Sequence, residues 1–405
     1  MSTFPFRTVC LAFAVMLWPA AGHAQLTAPR EASQIELGPL SLYPSVQILD
    51  AGRDSNIFND AEDPTEDYTF TVSSGVLGVL RLGSNELMFE SGGDYVWFRD
   101  SASERFTSGR YAMRFNFSAS RFKPYVGASH KRTRSRPNFE IDARALRLER
   151  TALGGFAVEL TPRTSVTGSM RIEDARYEGG EQFRGVDLGQ ALNRTGRTYS
   201  AGITHALTPF TTLVVLGNYA EDLFPASHIR DAKTYSFTPA LEFSPEAAIR
   251  GRISAGFEVF QPVDGTLSEY KGPVLAAVLN WSVYRKTTLD IQAARNVSYS
   301  YLETQPYYLL TGVRASVNQP VFGPFAVEGG GDWQFLSYRW KRGVPMETTT
   351  ARGDTVKSVF GGVRVSLRRG FTVAVTAERT RRRSTEDLRQ NFERTRLLSS
   401  VTIGS

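Results

Sequence analysis

Hydrophobic and polar residues alternate with a period of two along this chain. In one run Tyr235 and Phe237 share a parity opposite to that of Ser236 and Glu242, and the run from 249 to 259 repeats the pattern. Successive side chains of a β-strand point to opposite faces. The two runs therefore predict a β-hairpin with one apolar face and one polar, charged face.

The same unit recurs from residue 41 to the end of the chain, and its strands are connected alternately by short turns and long polar links. The predicted short turns lie near 83–85, 121–124, 161–164, 208–211, 244–247, 284–287, 318–324 and 368–370. A strand that crosses a bilayer needs about 9–11 residues, and outer-membrane barrels have short periplasmic turns and long outer loops. We therefore predict an all-β fold, a closed antiparallel transmembrane β-barrel of about 18 strands, with 16 as the alternative count.

The N-terminus has the pattern of a secretory signal peptide over residues 1–24. Arg7 provides the positive charge, residues 9–18 are apolar, and the small residues that precede Gln25 suit cleavage. The single cysteine, Cys10, lies inside the apolar run, so neither a lipid anchor nor a disulfide is expected. We interpret residues 25–40 as a periplasmic linker and residues 41–405 as the barrel, located in the cell outer membrane.

Aromatic residues cluster near the predicted strand ends, where rings suit the lipid headgroup level. These residues are Trp97, Phe98, Trp281, Tyr307, Tyr308, Trp333, Tyr338 and Trp340. Packing in an ordinary core is the alternative interpretation.

Charged residues occupy the polar parity of many predicted strands, which would face the interior of a closed barrel. The candidate lumen-lining residues are Arg81, Arg114, Arg171, Glu173, Glu242, Arg250, Arg252, Glu258, Arg364 and Glu378. Such groups would hydrate the interior and select solutes by charge. They could instead pair across the wall and brace it.

No catalytic, cofactor or metal site is predicted. After the leader, the only histidines are His130, His205 and His228, and none has metal-ligand spacing. His205 is also the candidate base of a barrel lipase, but its parity is that of the lipid face and no G-x-S-x-G motif is present. We therefore do not expect an enzyme.

Two basic clusters, 130–136 and 379–383, lie at the outer ends of predicted strands. Lysine and arginine there suit contact with lipid phosphates, with lipopolysaccharide or with an anionic polymer. Solvated loops are the alternative interpretation. Nucleic acid is not an expected partner of an exported barrel.

The first strand resembles a known family at Leu42-Tyr43-Pro44-Ser45 and at the following Asp54-Ser55-Asn56-Ile57-Phe58. These segments, with the leader and the barrel layout, are similar to an outer-membrane β-barrel porin family that is often associated with exopolysaccharide gene clusters. The resemblance implies an outer-membrane pore and a polysaccharide as its cargo. Ser405 stands where such barrels commonly have the aromatic residue that marks the last strand for the barrel-assembly machinery.

The sequence thus predicts a pore for hydrophilic solutes, linked to polysaccharide export. The alternative function is a structural or adhesive barrel that binds a partner through its outer loops and transports nothing.

Overall fold

The computed structural model describes residues 35–283, 286–340, 352–367, 371–385 and 390–404. They form a closed antiparallel barrel of 18 strands, as the alternation predicted. Each strand pairs with its neighbours in the chain, and the last strand pairs with the first, with Ile403 opposite Val46. Closure leaves no strand edge at the seam between the last and the first strand, so the backbone groups there are satisfied within the sheet.

The strands are longer than those of a typical soluble sheet and suit a tilted bilayer crossing. They are β1 Leu40–Asp54, β2 Asp67–Leu82, β3 Asn85–Phe98, β4 Phe106–Asn116, β5 Phe122–Ser135, β6 Ala145–Thr161, β7 Thr164–Tyr177, β8 Arg194–Thr208, β9 Thr211–Leu223, β10 Ala232–Phe243, β11 Ile249–Pro262, β12 Tyr270–Val283, β13 Thr287–Tyr299, β14 Tyr307–Phe322, β15 Phe325–Arg339, β16 Gly353–Ser366, β17 Thr372–Ser384 and β18 Phe392–Gly404. The one α-helix among the described residues, α1, is short, Leu188–Leu192. No helix in the described ranges is both long and apolar enough to cross a membrane.

Short turns connect the strands at one end and long loops connect them at the other. Gly83 and Gly323 adopt positive φ in two of the tight turns, a conformation that glycine tolerates best. The turn expected at 121–124 lies earlier, because Phe122 already pairs with Val158 in the β5–β6 ladder. The turn expected at 318–324 is shorter, because β14 continues to Phe322.

Two predicted turns fall partly or wholly outside the described residues: 284–285 and 368–370 are not described. The predicted signal peptide, residues 1–24, lies outside the described residues as well. Residues 35–37, which the sequence analysis assigned to the linker, form a short strand that pairs with the start of β1, with Ile35 opposite Leu42.

The apolar parity faces outward. Phe237, Phe257 and Val359 expose 58%, 52% and 63% of their surface, although each lies in the middle part of a strand. Only a hydrocarbon environment makes so much exposed apolar surface favourable. The outer face of the wall is therefore the lipid face, and the opposite parity lines the interior.

Replacing Phe237 by arginine should destabilise the barrel by about 2–4 kcal/mol, because the change puts a charge on the lipid face. Ser236→Arg is the matched control, since Ser236 lines the interior cavity and its arginine would be hydrated there. Urea unfolding in lipid vesicles gives both free energies. Equal losses for the two variants would contradict the assignment of faces.

Candidate functional site: the barrel interior and its outer lid

The barrel encloses a cavity of about 1550 Å³. Its lining includes the inward positions of strands from β1 round to β14 and of β17 and β18. Thirteen arginine and lysine residues line it against eight aspartate and glutamate residues. The interior is therefore polar and has a surplus of positive charge.

Five of the predicted lumen-lining residues contribute to this cavity: Arg114, Arg171, Glu173, Arg252 and Glu258. Arg171 and Glu173 are 3.2 Å apart on β7. Arg252 is paired with Glu242, another predicted residue, across the β10–β11 ladder at 2.9 Å.

The other predicted residues bond to neighbours along the wall. Arg81 donates to the Ser41 hydroxyl at 3.1 Å, and Arg250 donates to Asn280 and Ser282. Arg364 pairs with Glu328, and Glu378 pairs with Arg396 at 2.7 Å. Charge at polar parity thus both lines the cavity and braces the wall.

Several ion pairs of the interior were missed by the sequence analysis. Arg110 lies 3.1 Å from both Glu90 and Asp94. Arg194 lies between Glu173 and Asp222, at 3.2 and 3.6 Å. The inward parity of each residue was readable from the alternation, but the cross-strand partners depend on the register.

Besides Arg136, which donates to the Ile57 and Asp142 carbonyls, two cations of the lining have no carboxylate partner among the described residues. The guanidinium of Arg114 lies 3.9 Å from the centre of the Tyr125 ring and donates to Asn116. Arg295 donates to the Thr311 hydroxyl at 2.8 Å, and its Nε has no partner within the described part of the chain. Arginines held in this way remain able to bind a passing anion.

The outer mouth is crossed by the loop between β5 and β6, residues 136–144, which we call the lid. Glu140 and Ile141 of the lid are completely buried. Glu140 accepts hydrogen bonds from the Ser300 hydroxyl at 2.7 Å and from the Tyr301 N–H at 3.2 Å. Because Ser300 follows β13 on the opposite side of the ring, the lid spans the barrel.

A single arginine of β17, Arg382, anchors the lid. Its side chain is completely buried and donates to the carbonyls of Phe139 and Glu140 and to the Asp142 carboxylate, each at 3.0 Å. It also donates to Asp354 at 2.7 Å. The lid is thus fixed to the wall by charge-assisted bonds, which are stronger than neutral ones.

Apolar packing supports the lid from below. Ile141 packs in a cluster with Leu188 of α1, Phe224 and Tyr301, and Phe139 packs against Tyr308 and Tyr338. Loops from several sides therefore share one core at the mouth, and the lid residues 136–139 line the cavity there.

The outer ends of β13 and β14, residues 296–310, also turn into the interior; we call this segment the inner hairpin. The β12–β13 ladder ends at Leu275 opposite Arg295. Above that pair, Tyr307 and Leu309 of the inner hairpin pack on the inward residues Phe260 and Val274. The inner hairpin therefore lies inside the wall formed by β11 and β12.

Pro273 explains why the ladder stops there. The Ser282 N–H donates to the Ala248 carbonyl, on the β11 side of β12. Successive backbone N–H groups of a strand point to opposite neighbours, so those of the even-numbered β12 residues face β11 and those of the odd-numbered residues face β13. Pro273 is one of these and has no N–H to donate. Side chains replace the missing ladder bonds. The Pro273 carbonyl accepts a hydrogen bond from the Tyr270 hydroxyl at 2.7 Å, and the Val297 carbonyl accepts one from the Asn296 side-chain amide at 3.2 Å.

The aromatic prediction was only partly correct. Trp281 and Trp333 are exposed on the lipid face, at 41% and 55%. Phe98, Tyr307, Tyr308 and Tyr338, by contrast, are buried at the outer mouth. The lid and the inner hairpin cover these rings, which alternation alone placed at the headgroup level.

Burial changes the protonation of the lid. It raises the pKa of Glu140 to about 7, although Arg352 and Arg382 oppose the shift. It also raises the pKa of Asp142. Burial lowers the pKa of Arg230, which donates to the Ser300 and Tyr301 carbonyls, to about 10, so this arginine stays charged at neutral pH.

In the described ranges, no group of three or more His, Cys, Asp and Glu side chains is placed to hold a metal ion. His205 lies beside the turn that follows β8, on the outward parity, and its Nδ1 is 2.9 Å from the Thr164 hydroxyl. The outward direction of this side chain is the one that its parity predicted.

A family model described as "Putative beta-barrel porin 2" matches residues 28–404. Among solved structures, the outer membrane protein opdK from Pseudomonas aeruginosa is 8% identical, with a TM-score of 0.50, and the match covers 90% of this chain and 99% of that one. OpdK from the same organism, with vanillate, is 9% identical at the same TM-score and coverage. A BenF-like porin from Pseudomonas fluorescens Pf-5 is 11% identical, with a TM-score of 0.48 and the same coverage. No curated protein matches the chain.

Proposed function

The chain belongs to the family described as "Putative beta-barrel porin 2", an outer-membrane porin family, and from that premise we propose that it is a gated pore that favours anionic hydrophilic solutes. The observation that carries the proposal is the surplus of cations in the interior, thirteen against eight. A low-dielectric wall concentrates the field of such a surplus on the solute path.

Polysaccharide is the cargo that we propose, on the family resemblance. An acidic polysaccharide would suit the positive interior, because its carboxylates could exchange between arginines such as Arg114 and Arg295 that have no carboxylate partner among the described residues. The proposal includes export through the N-terminal leader and insertion by the barrel-assembly machinery.

The reversal potential of the purified protein in a planar bilayer, under a KCl gradient, tests the pore. We expect conductance with chloride more permeant than potassium. Cation selectivity would contradict the anionic cargo. A barrel that never conducts, even when its lid is released, would support the alternative, a structural or adhesive barrel that binds a partner through its outer loops.

Arg114→Gln should reduce the preference for chloride, because it removes a cation that no carboxylate among the described residues balances. Lys233→Gln is the matched control: it removes the same charge from the outer face, since Lys233 shares the parity of Tyr235 and Phe237. Reversal potentials of the two variants are compared in the same gradient. An equal change in both would show that selectivity does not come from the interior.

A further inference from the structure

Four cations stand on the lipid side of the wall at its outer end. We call Lys357 of β16 and Arg379, Arg381 and Arg383 of β17 the basic patch. All four side chains are exposed, and the three arginines alternate with Thr380 and the inward Arg382. Residues two apart on a strand share a face about 7 Å apart, so the patch is a compact outward surface.

The patch contains like charges in direct opposition. Lys357 is paired with Arg381 across the β16–β17 ladder. Like charges directly opposite each other destabilise a sheet. Such a pair is therefore expected to be neutralised by an anion from outside the wall.

The chain itself provides too few anions. Within the described ranges the patch has one carboxylate, Glu393 of β18, which is 2.8 Å from Arg379 and 3.0 Å from Arg381. No carboxylate of the described residues pairs with Lys357 or Arg383. Instead, the Lys357 ammonium lies 4.5 Å from the centre of the Trp333 ring.

Apolar residues adjoin the patch toward the membrane. Val359, Trp333 and Leu397 share the outward parity and expose 63%, 55% and 56% of their surface. Val359 lies directly opposite Arg379, and Trp333 directly opposite Lys357. Tryptophan marks the level of the headgroups, so Trp333 and the cations stand where the phosphates of the outer leaflet lie. Val359 and Leu397 stand beside its acyl chains.

We propose that the basic patch binds the phosphorylated headgroup of an outer-leaflet glycolipid of the lipopolysaccharide type. The guanidinium groups of Arg381 and Arg383 hold a phosphate in the two-pronged geometry that arginine favours, and Lys357 adds a third charge. The acyl chains lie on Val359 and Leu397. A soluble acidic polysaccharide would leave this apolar surface without a partner, which is why the lipid is the occupant.

The test uses the purified full-length barrel with bisphosphorylated lipid A as the probe. Native mass spectrometry measures how much lipid is retained. In the variant K357Q/R379Q/R381Q/R383Q we expect at least about tenfold weaker binding, because the attraction of each cation to a charged lipid surface is lost. The wild-type barrel should bind lipid A without phosphates as weakly as the variant binds the bisphosphorylated form.

The matched control is R132Q/R197Q/K233Q/K271Q, which removes the same charge from exposed residues on other strands. It should keep wild-type binding. Equal losses in both quadruple variants would overturn the proposal, as would equal binding of the phosphorylated and unphosphorylated lipids. Displacement of the lipid by polygalacturonate, which has no acyl chain, would overturn the lipid as occupant.

Conductance measurements distinguish the proposed lipid site from the proposed pore function. The patch variant should conduct as the wild type does, because its four residues face away from the interior. Normal conductance with lost lipid binding supports the headgroup site, whatever solute the pore carries. Normal lipid binding by the patch variant overturns it.

Discussion

Replacing Arg382 by methionine should release the lid and increase the conductance of the barrel severalfold. The change leaves the buried Asp142 carboxylate without its ion-pair partner among the described residues, whereas Asp354 keeps Arg352 at 2.9 Å. Breaking a buried ion pair by removing one partner costs about 3–5 kcal/mol. Opening of the lid returns Asp142 to water, so the variant avoids part of this cost by populating the open state.

Single-channel recording measures the effect, with heat-modifiable gel mobility as the check that the barrel has folded. Arg364→Met is the matched control, because Arg364 is also largely buried and ion-paired, but with Glu328 of the wall. This control should keep the conductance of the wild type. A folded Arg382→Met barrel with unchanged conductance would show that the lid does not restrict the path.

The wall of the barrel was predictable because its rule is local. Each strand alternates between lipid and interior, so the parity of Phe237 or Glu242 follows from its immediate neighbours. The count of 18 strands followed from the alternation of short and long connections. The ends of strands were less predictable, since β14 continues to Phe322, inside the turn that was expected at 318–324.

The lid was not predictable, because its contacts join residues far apart in the chain. The bond from Arg382 to the Phe139 carbonyl spans 243 positions. Arg382 differs from its neighbours in the basic cluster only in parity, which turns it inward while Arg381 and Arg383 face out. Parity therefore identified the direction of the side chain, but nothing local identified the loop that it meets.

One local signal for the inner hairpin was present. Tyr307–Leu310 is a run of four consecutive apolar residues, and all four are buried. A strand that is apolar at both parities is covered on both faces. The run argued against a headgroup position for Tyr307 and Tyr308, and Pro273 indicated which neighbouring strand would lose its pairing.

Raising the pH from 5 to 8 should open the lid, with Glu140 as the sensing group. Burial raises the pKa of this carboxyl from 4.5 to about 7 while the lid is closed. Because Glu140 has the higher pKa in the closed state, its protonation stabilises the closed state relative to the open state. This stabilisation is complete below about pH 4.5 and is lost as the pH rises to 7. The full difference in pKa corresponds to about 3 kcal/mol, which is enough to shift the equilibrium between the closed and the open lid more than a hundredfold.

The groups that face Glu140 determine how sharp the response is. Ser300 and Tyr301 donate to its carboxylate, and Arg230, Arg352 and Arg382 lower its pKa without offsetting its burial. Asp142 of the same lid has a raised pKa and acts in the same direction.

Conductance measured at intervals from pH 5 to 8 checks the prediction against Glu140→Gln. Glutamine cannot ionise and keeps the shape of the protonated acid, so the variant should stay closed to a higher pH and respond less steeply. Because Asp142 still titrates, a weak response should remain. A variant that opens over the same range as the wild type would exclude Glu140 as the sensing group and leave Asp142, the other titrating carboxyl of the lid, to account for the response.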